Sequence, residues 1–188
     1  MNDTKAPEKS GHAADSVRPE ARPFTERHGI RLYKEYFNFG SAHFLIFADG
    51  TREELHGHNY RATLELDADL DDAWLVADFL RVKPIFREVC DRLDHRTLLP
   101  LRNPHLRVED GPQEVVAWFG EDRYVIPKRD VRLLDIENTA SELLARWVCH
   151  AFLAETAAQL PNLRPHRILV SVQESPGQSA IYERTWGS

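Results

Sequence analysis

The sequence predicts an α+β fold: an antiparallel sheet with two helices on one face, in the order ββα, an insertion, then αββ. Three observations carry this. Residues 58–67, HNYRATLELD, place Tyr60, Ala62, Leu64 and Leu66 on one parity and Arg61, Thr63, Glu65 and Asp67 on the other, the period-two pattern of a strand with one buried face. Two stretches, VADFLRVKPIFREVCDRLDH and NTASELLARWVCHAFLAE, keep helical spacing. Alternation then returns in RILVSVQE, through Ile168, Val170, Val172 and Glu174, and a last short strand follows at SAIYE.

The remaining elements fall between these anchors. IRLYKEYFNFGSAHF is rich in aromatic residues with Tyr33, Phe37 and Phe39 on one parity, and reads as the first strand. Asp49-Gly50 supplies the turn that leads on to the second. In the first helix Phe79, Val82, Ile85, Phe86, Val89 and Leu93 form the apolar stripe, Asp78 is the expected N-cap, and Pro84 belongs in the first turn or two. In the second, Thr139 and Glu142 fit a capping box, ahead of a stripe of Leu143, Leu144, Trp147, Val148, Ala151 and Phe152. EVVAWFGEDRYVIP holds two short β-like runs around Gly120-Glu121-Asp122, so residues from about 102 to 136 read as an inserted hairpin. Residues 1–27 mix Pro, Ala, Ser and both charge signs without a hydrophobic period and read as a disordered tail; 28–188 form one domain.

Composition narrows the function classes. A net charge of −6 argues against a general nucleic-acid or anionic-membrane surface, so an anionic substrate needs a local basic pocket. No apolar run reaches the roughly 20 residues of a membrane span, and the N-terminus lacks the layout of a secretory signal. Cys90 and Cys149, the two cysteines, fall in separate helices without a CxxC pattern, which suits a reducing cytoplasm.

The chemistry concentrates in GSAHFLIFADGTREELHGHNY. Side chains at i and i+2 of a strand point the same way, so His56 and His58 share a face, with Gly57 leaving the position between them uncrowded. His43, from the end of the preceding strand, could close a His₃ set around one metal ion with a fourth position open, as in catalytic zinc sites. The other reading is three polar strand-end residues. Asp94-His95 ends the first helix, where a histidine suits the dipole. Glu174 continues the core parity of its strand, where a carboxylate needs compensation such as a ligand with two adjacent N–H donors; alternatively the strand has ended and Glu174 is solvated.

In series, SAHF…LHGHNY, LDHRTLLP, ENTASELLARWV and VSVQESPGQSAIY resemble the 6-pyruvoyltetrahydropterin and 6-carboxytetrahydropterin synthase family over roughly residues 30–185, apart from the insertion. The resemblance implies a tunnelling fold (T-fold), ββααββ, whose sheets pool into an oligomeric barrel, commonly a homohexamer. It implies Zn²⁺ on His43, His56 and His58, an Asp94-His95 acid/base pair, Glu174 on the amino-pyrimidine edge of a pterin, and Thr139 to Glu142 beside that pterin. One position departs from the pattern. Where familiar members carry a catalytic cysteine, four residues before the HGH, this chain has Arg52. Glu53, in ExxHGH, resembles the subgroup in which glutamate replaces the cysteine, with Glu54 as its rival. That subgroup cleaves the side chain of dihydroneopterin to 6-hydroxymethyl-dihydropterin. A 6-carboxy or 6-pyruvoyl product formed with an unusual base, and a non-enzymatic pterin-binding protein, are the alternatives.

Overall fold

The computed structural model describes residues 25–187, so the expected disordered tail falls outside the described residues up to position 24. The centre of the fold is β3 (His56–Ala68), the strand read from its alternation. Tyr60, Ala62, Leu64 and Leu66 are all fully buried, each of the larger side chains contributing about 1.5–3 kcal/mol of transfer free energy. On one side β3 pairs antiparallel with β9 (Pro165–Ser175), which pairs with the edge strand β10 (Gln178–Thr185). On its other side lie two strands end to end, β1 (Gly29–Leu32) and β2 (Asn38–His43).

The expected single first strand is therefore two. A turn at Lys34–Phe37 interrupts it, Phe37 N–H donating to the Lys34 carbonyl at 3.0 Å, and the Phe37 carbonyl accepts the Ala62 N–H at 2.7 Å. The break turns Tyr33 outward, 69% exposed rather than on the buried parity, while Phe37 and Phe39 keep their places in the core. The sheet is also mixed rather than purely antiparallel. Beyond β2 lie β4 (Arg96–Pro100) and then β8 (Val131–Leu134), both paired in parallel. These strands are too short, and too close to turns, to leave a periodic signal.

Both helices lie where the periodicity puts them. In α1 (Phe79–Asp91) the Asp78 carboxylate accepts the Leu80 N–H at 2.7 Å, the expected cap. Pro84 sits in the second turn, and the stripe starts at Val82 because Phe79 remains half exposed. In α2 (Ser141–Gln159) the expected capping box does not form: the N-cap is Ala140, with no side-chain cap. The Thr139 hydroxyl instead donates to the Phe44 carbonyl at 3.0 Å, a partner across the fold that sequence spacing does not reveal. The two helices cover one face of the sheet. The other face carries a ladder of ion pairs, Arg31–Glu65–Arg167–Glu183, across four strands.

The insertion is larger than a hairpin. β5 (Leu106–Asp110), β6 (Glu114–Phe119) and β7 (Asp122–Pro127) form a separate antiparallel meander, after which a 3-10 turn leads into β8. The turn at Gly120-Glu121 is where the sequence places it. β5 (LRVED) is too charged to announce itself.

Replacing Asp78 with alanine leaves the Leu80 N–H uncapped. Urea titration of Asp78→Ala is expected to show unfolding free energy lower by about 1 kcal/mol, with an unchanged m value. A loss under a few tenths would mean that the cap carries no stability.

Candidate active site

The register of β2 against β3 builds the site. His43 stands across from His56, and Ser41 across from His58, so His43, His56 and His58 share the helix-covered face at the end of the sheet. Their candidate ligand nitrogens all lie within 4.8 Å of one another. Gly57 allows this approach, since a Cβ there would come within 3.2 Å of the Ser41 carbonyl oxygen.

Backbone carbonyls orient two of the rings. A carbonyl can only accept, so His43 Nδ1 is the protonated nitrogen facing Thr139 O at 3.1 Å, and His56 Nδ1 likewise facing Glu54 O at 2.7 Å. In both rings Nε2 is thereby turned away from the main chain and toward the other two histidines. Burial, foremost, holds the His43 imidazole below its ordinary pKa, with the Thr139 bond opposing and His56 adding to the effect, which favours the neutral ligand form. Tyr60, two residues after His58 on the same parity, places its hydroxyl 3.0 Å from His43 Nε2. Burial and the nearby Glu174 and Glu53 push the phenol pKa upward, so it stays a donor. Among the described residues, His58 Nε2 is buried without a hydrogen bond, although Glu174 Oε1 is 2.9 Å away: close in distance, out of line in direction. An orphaned imidazole nitrogen beside two rings with pre-set tautomers is the donor set that a zinc ion fits.

The carboxylates gather around this cluster. Glu174, half-buried on β9, sits between His58 and the Ser141 hydroxyl at the start of α2, which donates to Oε2 at 2.8 Å. Its strand has not ended. Glu53 Oε2 lies 3.9 Å from His56 Nε2 and accepts the Leu45 N–H at 3.3 Å. Glu54 is exposed and contributes its main-chain carbonyl to His56. Asp94 joins Gly40 N–H (2.7 Å) to His95 Nδ1 (2.8 Å). Burial opposes ionisation of Asp94, but these two partners outweigh it and hold the carboxyl below its ordinary pKa. His95 adopts φ 54°, and its ring is 86% exposed. The dyad is thus tied to β2 three residues before His43, yet makes no hydrogen bond or ion pair to the histidines among the described residues. Thr139 is fully buried and serves His43 through its carbonyl; Glu142 is exposed on the first turn of α2.

Residues 31–185 match the family described as 6-pyruvoyl tetrahydropterin synthase. The chain belongs to this family. It is 38% identical over 140 residues to a 6-carboxy-5,6,7,8-tetrahydropterin synthase of Haemophilus influenzae, covering 72% of this chain and 90% of that one. The 6-pyruvoyl tetrahydropterin synthase of Plasmodium vivax superposes with a TM-score of 0.77 at 30% identity, over 86% of this chain and 100% of that chain. Two further structures of the P. vivax enzyme, at 29% identity, carry alanine or cysteine in place of a glutamate described as a catalytic residue. The mixed sheet with two helices is accordingly the family's tunnelling fold, and the chain is a tetrahydropterin synthase-like enzyme.

Around this candidate site, sequence reasoning missed Tyr60 and Asn138, and reached Ser141 only as part of the segment from Thr139 to Glu142. Tyr60 was readable in principle, since His56, His58 and Tyr60 run at i, i+2 and i+4. Asn138 was not: its side-chain amide donates to Ile46 O at 2.8 Å and accepts Ile46 N–H at 3.2 Å, clipping the segment before α2 to the histidine hairpin. Both cysteines are free and buried in the helices, and burial pushes each thiol up to about 12. At a given pH their thiolate fraction is therefore on the order of a thousandfold below that of a free thiol. Folded protein at pH 8 is expected to leave both thiols unmodified by iodoacetamide over a period in which urea-unfolded protein reacts fully, as mass spectrometry would record. Rapid labelling of the folded chain would restore a cysteine as a candidate nucleophile.

Proposed function

We propose that this chain is a zinc-dependent lyase acting on the side chain of 7,8-dihydroneopterin or its triphosphate, with 6-hydroxymethyl-dihydropterin as product. The observation that carries the reading is the Glu53 carboxylate 3.9 Å from His56 Nε2, while no thiol is available. The glutamate described as catalytic in the Plasmodium vivax relative supports it.

His43, His56 and His58 would hold the metal. A zinc ion bound there supplies Lewis acidity toward the substrate's side-chain oxygens. Glu53 is placed to take the proton from the second side-chain hydroxyl. As that O–H pair becomes a carbonyl, the bond between the first and second side-chain carbons breaks, and its electrons pass into the pterin ring. His95, oriented by Asp94, returns a proton to the first carbon, which leaves a hydroxymethyl group on the ring and releases a two-carbon aldehyde fragment. Glu174 anchors the substrate, its two oxygens accepting the adjacent N–H groups of the amino-pyrimidine. The segment from Thr139 to Glu142 lies beside it, with Ser141 already hydrogen-bonded to Glu174. The homohexameric barrel belongs to the same proposal and is supported by the open edge of β10. Two free, buried cysteines suit a cytoplasmic setting.

The Haemophilus relative favours a second reading, formation of the 6-carboxy product with Glu53 as the base. Mass spectrometry of products from dihydroneopterin and its triphosphate, with zinc-loaded protein, decides between them: 6-hydroxymethyl-dihydropterin supports the first, a 6-carboxy or 6-pyruvoyl pterin the second. Pterin bound without turnover would overturn both.

Glu53→Gln is expected to lower turnover on the order of 10²-fold or more with zinc content and pterin affinity kept, and Glu54→Gln to do much less. If both variants turn over normally, the base is not a carboxylate of this segment. Glu174→Gln is expected to weaken pterin binding in calorimetric titration while zinc stays in place, because one amide cannot accept both N–H bonds. Unchanged affinity would remove Glu174 from the pterin.

A further inference from the structure

The hairpin that carries Glu53 is held from a side that the histidines do not use. Phe44 and Ile46, just beyond His43, pack with Leu99 and with Leu106, Val115 and Ala117 of the inserted meander in a hydrophobic cluster separate from the main core. Phe44 stacks on Tyr124 of β7 with ring centroids 5.5 Å apart. Into this cluster the hairpin sends Arg52. Its Nη1 donates to the Glu53 carbonyl at 2.7 Å, and its Nη2 meets Oδ2 of Asp122, the first residue of β7, at 2.5 Å. The guanidinium carbon lies 5.5–5.7 Å from the ring centroids of Phe44, Phe119 and Tyr124.

A planar guanidinium bonded in two directions and flanked by rings has little freedom left, which an ammonium could not reproduce. The Glu53 carboxylate has weaker guidance of its own, one 3.3 Å bond from the Leu45 N–H. Its place beside His56 therefore depends on its main chain. That main chain is held at both ends: the Glu53 N–H donates to Leu45 O at 2.9 Å, and the Glu53 carbonyl accepts from Arg52. Among the described residues, the turn before it, Asp49 to Thr51, is held only by local bonds.

We propose that Arg52 is a positioning residue for Glu53, and that the inserted meander acts through Arg52 as the brace that keeps this carboxylate at the histidine cluster. The proposal rests on the reading of Glu53 as the base. A displacement of about 1 Å at a reacting group is enough to cost on the order of 10²-fold in rate. The position held by a reactive thiol in familiar relatives is here occupied by a cation that does no chemistry and orients its neighbour.

The test is a double-mutant cycle on the zinc-loaded full chain. Arg52→Met, which keeps the aliphatic stem among the rings, is expected to lower kcat about tenfold or more, with KM and zinc content unchanged and only partial recovery in Arg52→Lys. Placed on Glu53→Gln, the same substitution is expected to cost nothing further, because a base already removed cannot be misplaced. An equal loss in both backgrounds, or full activity of Arg52→Met, overturns the proposal and leaves Glu53 as the base. Full activity of Glu53→Gln alone overturns the reading of Glu53 and the proposal with it. Hydrogen exchange on metal-free protein reads the brace directly: in Arg52→Met the Glu53 amide should exchange at least tenfold faster, with the Leu64 and Leu66 amides unchanged. An unchanged Glu53 amide counts against the brace. Should Arg52→Met fail to fold, Asp122→Asn carries the same comparisons, since it loosens the meander end of the link and leaves the ring contacts in place.

Discussion

The pairing of β2 with β3 sets His43 across from His56 and Ser41 across from His58, and the site inherits its geometry from that register. A slip of one residue would turn His56 and His58 to the polar face of the sheet, because side chains alternate with period two. Such a slip would also expose Tyr60, Ala62, Leu64 and Leu66, all fully buried on the same parity. Phe39 stacks on Tyr60 with centroids 4.9 Å apart, so the core begins immediately below the histidines. Hydrophobic burial thus holds polar groups in place that could not hold themselves.

The cluster is polar, partly buried and crowded with like donors, an arrangement that is costly without partners. Main-chain carbonyls of Thr139 and Glu54 relieve part of that cost and at the same time choose the tautomers. Thr139 also connects the start of α2 to Phe44, so one residue orients a ring and fastens a helix. The same segment brings Ser141 to Glu174, which explains how a carboxylate remains on the core parity of β9. His95, at positive φ, holds a conformation unusual for a side-chain-bearing residue, kept by its N–H bond to Gly40 O and by Asp94.

Strong periodicity was legible and non-local pairing was not. The alternation of residues 58–67, the Asp78 cap and the existence of both helices were read directly, because one element contains the whole signal, although the buried stripe of α2 is turned toward Ala145 and Cys149 and leaves Leu143, Trp147 and Ala151 partly buried. HGH and the parity of Glu174 pointed to the candidate site for the same reason. The break at Lys34–Phe37, the parallel strands β4 and β8, and the meander strand β5 depend on partners distant in sequence. Thr139 shows the limit most clearly: its spacing to Glu142 satisfies a local rule, and a carbonyl ninety-five positions away takes its hydroxyl instead. Arg52 could be seen in the sequence only as a departure from a pattern, since Asp122, Phe119 and Tyr124 lie about seventy residues on.

Two hydrophobic clusters divide the described residues, and the boundary runs through the candidate site. Phe39 and Tyr60 belong to the cluster under the helices, Phe44 and Ile46 to the one under the meander, with His43 between them. Cooperative units of unfolding follow such clusters. The hairpin from Phe44 to Arg52 therefore belongs energetically with the insertion, while His56 and His58 belong with the main sheet. Partial opening of the smaller unit would separate the Glu53 carboxylate from the imidazoles without melting the main sheet.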